Sequence, residues 1–307
     1  MQSDGVPALH RPLPAGNFAK RRLRRRHLPS LRQAEIRNSS FAKALSDSSK
    51  PASLAELRSI PAQRIFDTAA KDSDLDLEPV VDGRFLPSQP ATIFAEGKQT
   101  KVSVLVGSND NEVSIFASPL VGGKSWRPKT VADYRQWLNR KFGPLADDIF
   151  TAYPARKDAD VLAAFNSMYT DYDFGFGARL LAQESTRIGQ RAFLYHFTYT
   201  GQGPFASLGA FHSEESMFLS KKYWSSWVHA PGDDRLSNAI IRYWTNFVKT
   251  GNPNGPVLPR WPAYDAKHDI CQRLGRSIAP EPVPRSTEFP LFQKYLDTRL
   301  ANLHDSN

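Results

Sequence analysis

The 307-residue sequence has one cysteine, Cys271. A lone thiol cannot close an intramolecular disulfide or build a cysteine metal cluster, so no metal or other cofactor is expected from it. No apolar run approaches the roughly 18–20 residues that a membrane span needs, which argues against a membrane-embedded chain. Residues 1–10 lack the apolar core of a signal peptide. Acid is scarce at the start: residues 1–43 hold Asp4 and Glu35 against ten Lys and Arg residues, a net +8. The rest of the chain then holds 30 basic and 29 acidic residues. The formal +9 therefore belongs to a short arm, and the nearly neutral body argues against a nucleic-acid-binding domain. What is present suits a globular fold. The chain is 40% hydrophobic and 23% charged, ordinary values for a protein with a real core.

Residues 1–40 show little periodicity. They carry Pro7, Pro12, Pro14, Pro29 and the basic run Lys20–Arg26, and read as an irregular basic arm. The run fits a nucleic-acid or targeting patch, but the favoured reading is a solvated arm, or sequence that no longer folds as its ancestor did. From Ser40 the pattern sharpens. Helices are expected over 40–45, over 53–59 behind the capping box Ser53-x-x-Glu56, and over 62–70 behind Pro61. Pro79–Pro87 reads as two extended segments about an Asp-Gly turn, and 90–96 as a helix closed by Gly97. A β-branched run predicts a buried strand over 101–106, ended by the polar turn Gly107–Asn111. Helices are predicted over 130–142, 145–153, 158–167, 174–188, 236–250 and 291–300, and a second strand over 192–199. Strands alternating with helices imply α/β layering.

Two loops carry candidate chemistry. Gly107-Ser-Asn-Asp-Asn-Glu112 follows the first strand, and Leu208-Gly-Ala-Phe-His212-Ser-Glu-Glu215 follows the second. Sites in open α/β sheets form at the carboxyl ends of strands. A carboxylate and a histidine meeting there would act together. The carboxylate accepts Nδ1–H and stabilises the imidazolium, while Nε2 serves as base and then acid. Taken singly, each residue also has a plain reading as a solvated or hydrogen-bonded loop side chain.

Several stretches, in order along the chain, resemble the type-B carboxylesterase family, which includes the cholinesterases. They are Ser53–Ala62, Pro79-Val-Val-Asp-Gly-Arg-Phe-Leu-Pro87, Val102–Phe116, Thr170-Asp171 with Arg179, Tyr195-His-Phe197 with Gly209–Glu215, and Phe247–Asn254 with Trp261-Pro-Ala-Tyr264. The resemblance implies an α/β-hydrolase fold, incomplete here: the C-terminal part of a mostly parallel sheet with flanking helices over residues 41–307. It implies Glu112 as triad acid, His212 as triad histidine, Glu215 as a supporting carboxylate, and a small carboxylic ester as substrate.

The chain departs from the family pattern in three ways. Val113 and Ser213 stand where the family has glycine. No Gly-x-Ser-x-Gly elbow occurs; Ser207 in Phe205-Ala-Ser-Leu-Gly209 lacks the first glycine. No His-Gly-Gly oxyanion stretch is present, and Gly122-Gly123 reads as a loop turn. The expectation is that the serine and the oxyanion loop lie upstream of residue 1, and that the N-terminal arm is an altered remnant. The chain would then be inactive alone unless an N-terminal fragment supplied the nucleophile. The alternatives are a non-catalytic fragment or binding protein and, more remotely, a nucleic-acid binder acting through the arm.

Overall fold

The computed structural model describes residues 15–18, 28–71, 79–118, 120 and 126–304. The chain divides into two compact units, a smaller one over Arg25–Ile93 and a larger one over Met1–Arg24 with Phe94–Asn307. The basic run Lys20–Arg26 and Gly122-Gly123 lie outside the described residues.

The smaller unit is built from local signals. Helix α1 spans Leu31–Leu45, where Ser30 and Gln33 form a reciprocal capping box. The expected helix start at Ser40 is therefore corrected by nine residues. A Ser-x-x-Gln box satisfies two orphan N–H groups without needing an apolar stripe, so periodicity missed it. Helix α2 (Leu54–Ser59) starts behind the Ser53–Glu56 box, and α3 (Ala62–Ala69) starts behind Pro61. The stretch 79–87 forms no hairpin. The Asp82 carboxylate accepts the N–H groups of Arg84, Phe85 and Leu86 at 2.9–3.0 Å, curling the chain about Gly83 at φ +74°. Val81 instead bridges in parallel to Ser30. Short helix α4 covers Pro90–Ala95.

The larger unit holds a five-stranded sheet. Its strands are β1 (Ala15–Phe18), β2 (Ser103–Asn109), β3 (Ala192–Phe197), β4 (Ile270–Leu274) and β5 (Ile278–Pro282), ordered 1-2-3-4-5. The first three pairings are parallel and the last is antiparallel. Strand β1 falls inside the arm that reads as irregular, so part of that arm is sheet. Strand β2 runs on through Gly107, Ser108 and Asn109, which pair with Tyr195, His196 and Phe197. The polar turn expected at Gly107 therefore starts later. Gly107 is required because a Cβ there would overlap the Tyr195 carbonyl oxygen and ring.

Period-2 alternation sends the sheet's apolar side chains to two cores. Val104, Val106 and Leu194 join one core with helices α5 (Val131–Phe142), α6 (Ala146–Ala152), α7 (Asp158–Thr170), α8 (Phe176–Arg187) and α11 (Phe289–His304). Leu105, Phe193, Tyr195 and Phe197 join the other with α9 (Glu214–Ser220) and α10 (Asp233–Thr250). Trp261 belongs to the second core and donates its indole N–H to the Leu194 carbonyl at 3.1 Å, docking the Trp-Pro-Ala-Tyr segment on β3.

Two features escaped periodicity. Helices α7 and α8 are joined by a π turn over Asp171–Gly175 rather than separated by a gap. No proline interrupts 158–187, and one widened turn absorbs the change of face. The β4–β5 hairpin was hidden by Pro280 and Pro282, which an edge strand tolerates because it needs N–H groups on one side only. Among the described residues no helix is long and apolar enough to cross a membrane.

Candidate active site

Strand β2 ends at Asn109, and the chain turns into a 3-10 helix over Glu112–Ala117 whose first residue is Glu112. A second 3-10 turn over Gly203–Leu208 delivers the chain, through Gly209 at φ +61°, to His212 just before α9. The loops of β2 and β3 are neighbours because the strands are neighbours. The Asn111 N–H donates to the Ala210 carbonyl at 2.9 Å, and the His212 N–H donates to the Glu112 carbonyl at 3.1 Å.

Across this seam His212 Nδ1 lies 2.7 Å from Glu112 Oε2. Glu112 is fully buried and its Oε1 accepts the Asn109 N–H at 2.8 Å. The His212 ring stands between Phe116 and Phe174, with centroids at 5.1 and 5.2 Å, and its side chain is 26% exposed. A buried carboxylate on Nδ1 sets the tautomer, leaving Nε2 as the basic nitrogen. Among the described residues no hydroxyl hydrogen-bonds to Nε2. Ser207 lies exposed in its 3-10 turn.

Glu215 is buried beside this pair. It accepts from Asn109 Nδ2 at 2.8 Å, while the same amide donates to the Phe211 carbonyl at 2.6 Å. Asn109 thus ties the carboxylate of α9 to the histidine loop. Residue-by-residue reading missed Asn109 and also Glu214, whose buried carboxylate accepts the Phe211 N–H at 3.1 Å. The adjacent acid pair Glu214-Glu215, separated from the loop histidine by Ser213 alone, was the available signal. Arg127, also missed, braces the acid turn by donating to the Val113 and Ser114 carbonyls at 2.7 Å.

The two positions that depart from glycine behave differently. Val113 is buried in the 3-10 helix without a positive φ, so a side chain fits. Ser213 sits at φ +69°, the left-handed region that costs an L-residue about 1 kcal/mol or more.

A second polar cluster adjoins the acid loop. His196 on β3 places Nδ1 2.9 Å from Glu281 Oε1 and Nε2 3.3 Å from Asp110 Oδ1. Burial drives the His196 imidazole toward neutrality, but Asp110 and Glu281 outweigh it and hold its pKa above the ordinary value. Pairing with His196 in turn holds the Asp110 carboxyl below its usual range. Arg273 joins Glu281 at 3.2 Å. Arg285 grips Asp171 through Nε at 2.6 Å and Nη2 at 3.0 Å and reaches toward Asp110 at 3.6 Å. Arg179, by contrast, pairs with Asp269 at 2.8 Å. Two residues before Glu112, the loop is therefore pinned by charge as well as by backbone.

Comparison with known proteins agrees with this architecture. The solved structure of Aspergillus niger EstA superposes with a TM-score of 0.74 at 19% identity, covering 92% of this chain and 58% of that one. The fold is accordingly α/β-hydrolase, present here in part. The chain is 29% identical over 224 residues to fumonisin B1 esterase of Sphingopyxis macrogoltabida, covering 70% of this chain and 40% of that protein. It is 27% identical over 225 residues to liver carboxylesterase 1 of Oryctolagus cuniculus, covering 66% of this chain and 38% of that protein. The chain thus spans about two fifths of the length of these curated relatives. The carboxylesterase family model matches residues 32–285. With the sheet, the loop order and this match in agreement, the chain belongs to the carboxylesterase family.

Proposed function

We propose that this chain carries the acid–base half of a carboxylic ester hydrolase, with Glu112 as the triad acid, His212 as general base and acid, and Glu215 as the carboxylate that steadies the histidine loop. The supporting observation is the 2.7 Å contact between a fully buried Glu112 and Nδ1 of a part-exposed His212. In the reaction, Nε2 takes the proton of an attacking hydroxyl as oxygen bonds to the ester carbonyl carbon. It then returns that proton to the departing alkoxide, and water repeats the cycle on the acyl intermediate. Glu112 keeps its charge and offsets the imidazolium.

The nucleophile and the oxyanion donors are proposed to come from outside residues 1–307, because no Gly-x-Ser-x-Gly elbow stands in this sequence. On this reading a small carboxylic ester is the substrate, no cofactor takes part, and an N-terminal fragment is the partner that restores turnover.

The test is hydrolysis of p-nitrophenyl butyrate by the purified chain, with a serine-directed phosphonate on the same sample. Neither turnover nor label is expected. Turnover that labels a serine and disappears in His212→Ala would show that the chain is complete. A proton NMR spectrum checks the pair without activity. A strongly downfield Nδ1–H resonance is expected that disappears in Glu112→Gln, and its absence from the unsubstituted chain would remove Glu112 from the proposed role.

A further inference from the structure

A cleft of about 760 Å³ opens between one face of α10 and the β4–β5 hairpin, and it shares no residue with the Glu112–His212 pair. Three arginines line it, Arg235, Arg242 and Arg276, and no acidic residue does. Arg235 and Arg242 are seven apart on α10, so they share a face with about 10 Å between them along the axis. Both are exposed, and neither has a carboxylate partner among the described residues. Arg276 comes from the hairpin turn. Its guanidinium lies 5.5 Å from the Tyr199 ring centre and donates to the Thr200 carbonyl at 3.5 Å. The floor beneath these charges is apolar, formed in part by Leu236, Leu258 and Ile278. At the rim, the exposed Val257 sits at φ +60°, a conformation that β-branched residues rarely adopt and that recurs at ligand clamps.

Cationic side chains gathered in one cleft without counter-charge repel one another and create a positive potential that an anion relieves. Inorganic phosphate would meet the charges but leave the apolar floor wet. A neutral alcohol would cover the floor but leave the guanidiniums uncompensated. The volume lies within the range of small-molecule sites. We propose that this cleft is a binding site for an organic anion with an apolar body, of the class of a medium-chain carboxylate. It binds with the carboxylate among the arginines and the chain over Leu236, Leu258 and Ile278. The proposal is independent of ester hydrolysis, since it uses none of the proposed catalytic residues.

The test is isothermal titration of the full chain with decanoate, decan-1-ol and inorganic phosphate, with hydrogen exchange read on the same samples. Decanoate is expected to bind saturably, more tightly than either control, and less tightly as salt rises. It should slow exchange over 231–242 and 275–278. In Arg242→Ala/Arg276→Ala binding should weaken at least tenfold, and Arg235→Glu alone should weaken it in the same direction, with thermal melts of both variants confirming that they fold. Unchanged affinity in these variants would overturn the proposal. So would equal binding of decanol or phosphate, protection elsewhere in the chain, or no decanoate binding at millimolar concentration.

Discussion

Helices α1 and α2 of the smaller unit are capped as completely as α5 of the larger one, yet they bury little, and α3 starts behind Pro61 with no side-chain cap. Ser30–Gln33 and Ser53–Glu56 are complete boxes, like Thr130–Asp133 at the start of α5. Helix α5 itself buries Tyr134, Leu138 and Phe142. Among the described residues of the smaller unit the buried apolar ones are Pro29, Ala34, Leu45 and Ala52, while Ile36, Leu54 and Phe66 are more than 60% exposed. A cap contributes about 1 kcal/mol, and a buried Leu or Phe about 1.5–3 kcal/mol. Caps decide where a helix begins, and burial decides how firmly it is held. The proposed catalytic pair sits on loops leaving two strands covered on both faces, with Glu112 fully buried and His212 part-exposed.

The comparison can be broken most forcefully at Gly107. Alanine there must push the β2 and β3 backbones apart, so Gly107→Ala is expected to cost about 3 kcal/mol. Urea unfolding followed by the near-UV signal of the buried aromatics would measure it. A loss under about 1 kcal/mol would mean that the two strands are not tightly packed at the base of the site.

Ser53→Ala sharpens the contrast from the other side. It should destabilise α2 by about 1 kcal/mol, which accelerates exchange of the 54–59 amides roughly fivefold. The amides of α8 should be unaffected. Equal acceleration in both would show that the two units unfold as one.

The smallest effect concerns the charge cluster. A histidine whose folded pKa is raised contributes stability that is complete below its unfolded value, near 6.5, and that is lost as pH rises through the folded value. Asp110, shifted down, contributes above its unfolded value near 3.9 and loses that contribution as pH falls through its folded one. The cluster therefore stabilises most between those limits. The difference in melting temperature between the unsubstituted chain and His196→Gln should shrink from pH 6 to pH 9. A difference that grows over that range would mean that His196 is neutral in the fold. Arg273 and Arg285, which face Glu281 and Asp110, stay charged throughout and leave the sign unchanged.

Much of the candidate site was legible because its signals are short. Glu112 and His212 stood out as titratable residues in polar loops directly after apolar strands, and the order of motifs pointed to a family. Asn109, Glu214 and Arg127 were not legible, since their roles depend on partners such as Phe211 and Val113 that only neighbouring loops supply. His196 sat inside an aromatic run and read as one more strand residue. Its two carboxylate partners come from the loop after β2 and from β5, which lies 85 residues along the chain at Glu281.

Capping boxes, the Pro61 helix start, the apolar runs of β2 and β3, and the amphipathic stripe of α10 are written within three or four residues of where they act. Local hydrogen bonds and side-chain period suffice for them. The sequence by itself therefore determined most helices, two strands and the identity of the acid and histidine candidates. Tertiary structure alone decided the π turn between α7 and α8, the proline-bearing hairpin, the arginine-lined cleft and the contact of residues 112 and 212. Those features depend on which strands pair and which faces are covered. Such pairings bring together residues as much as a hundred positions apart, beyond the reach of local preference.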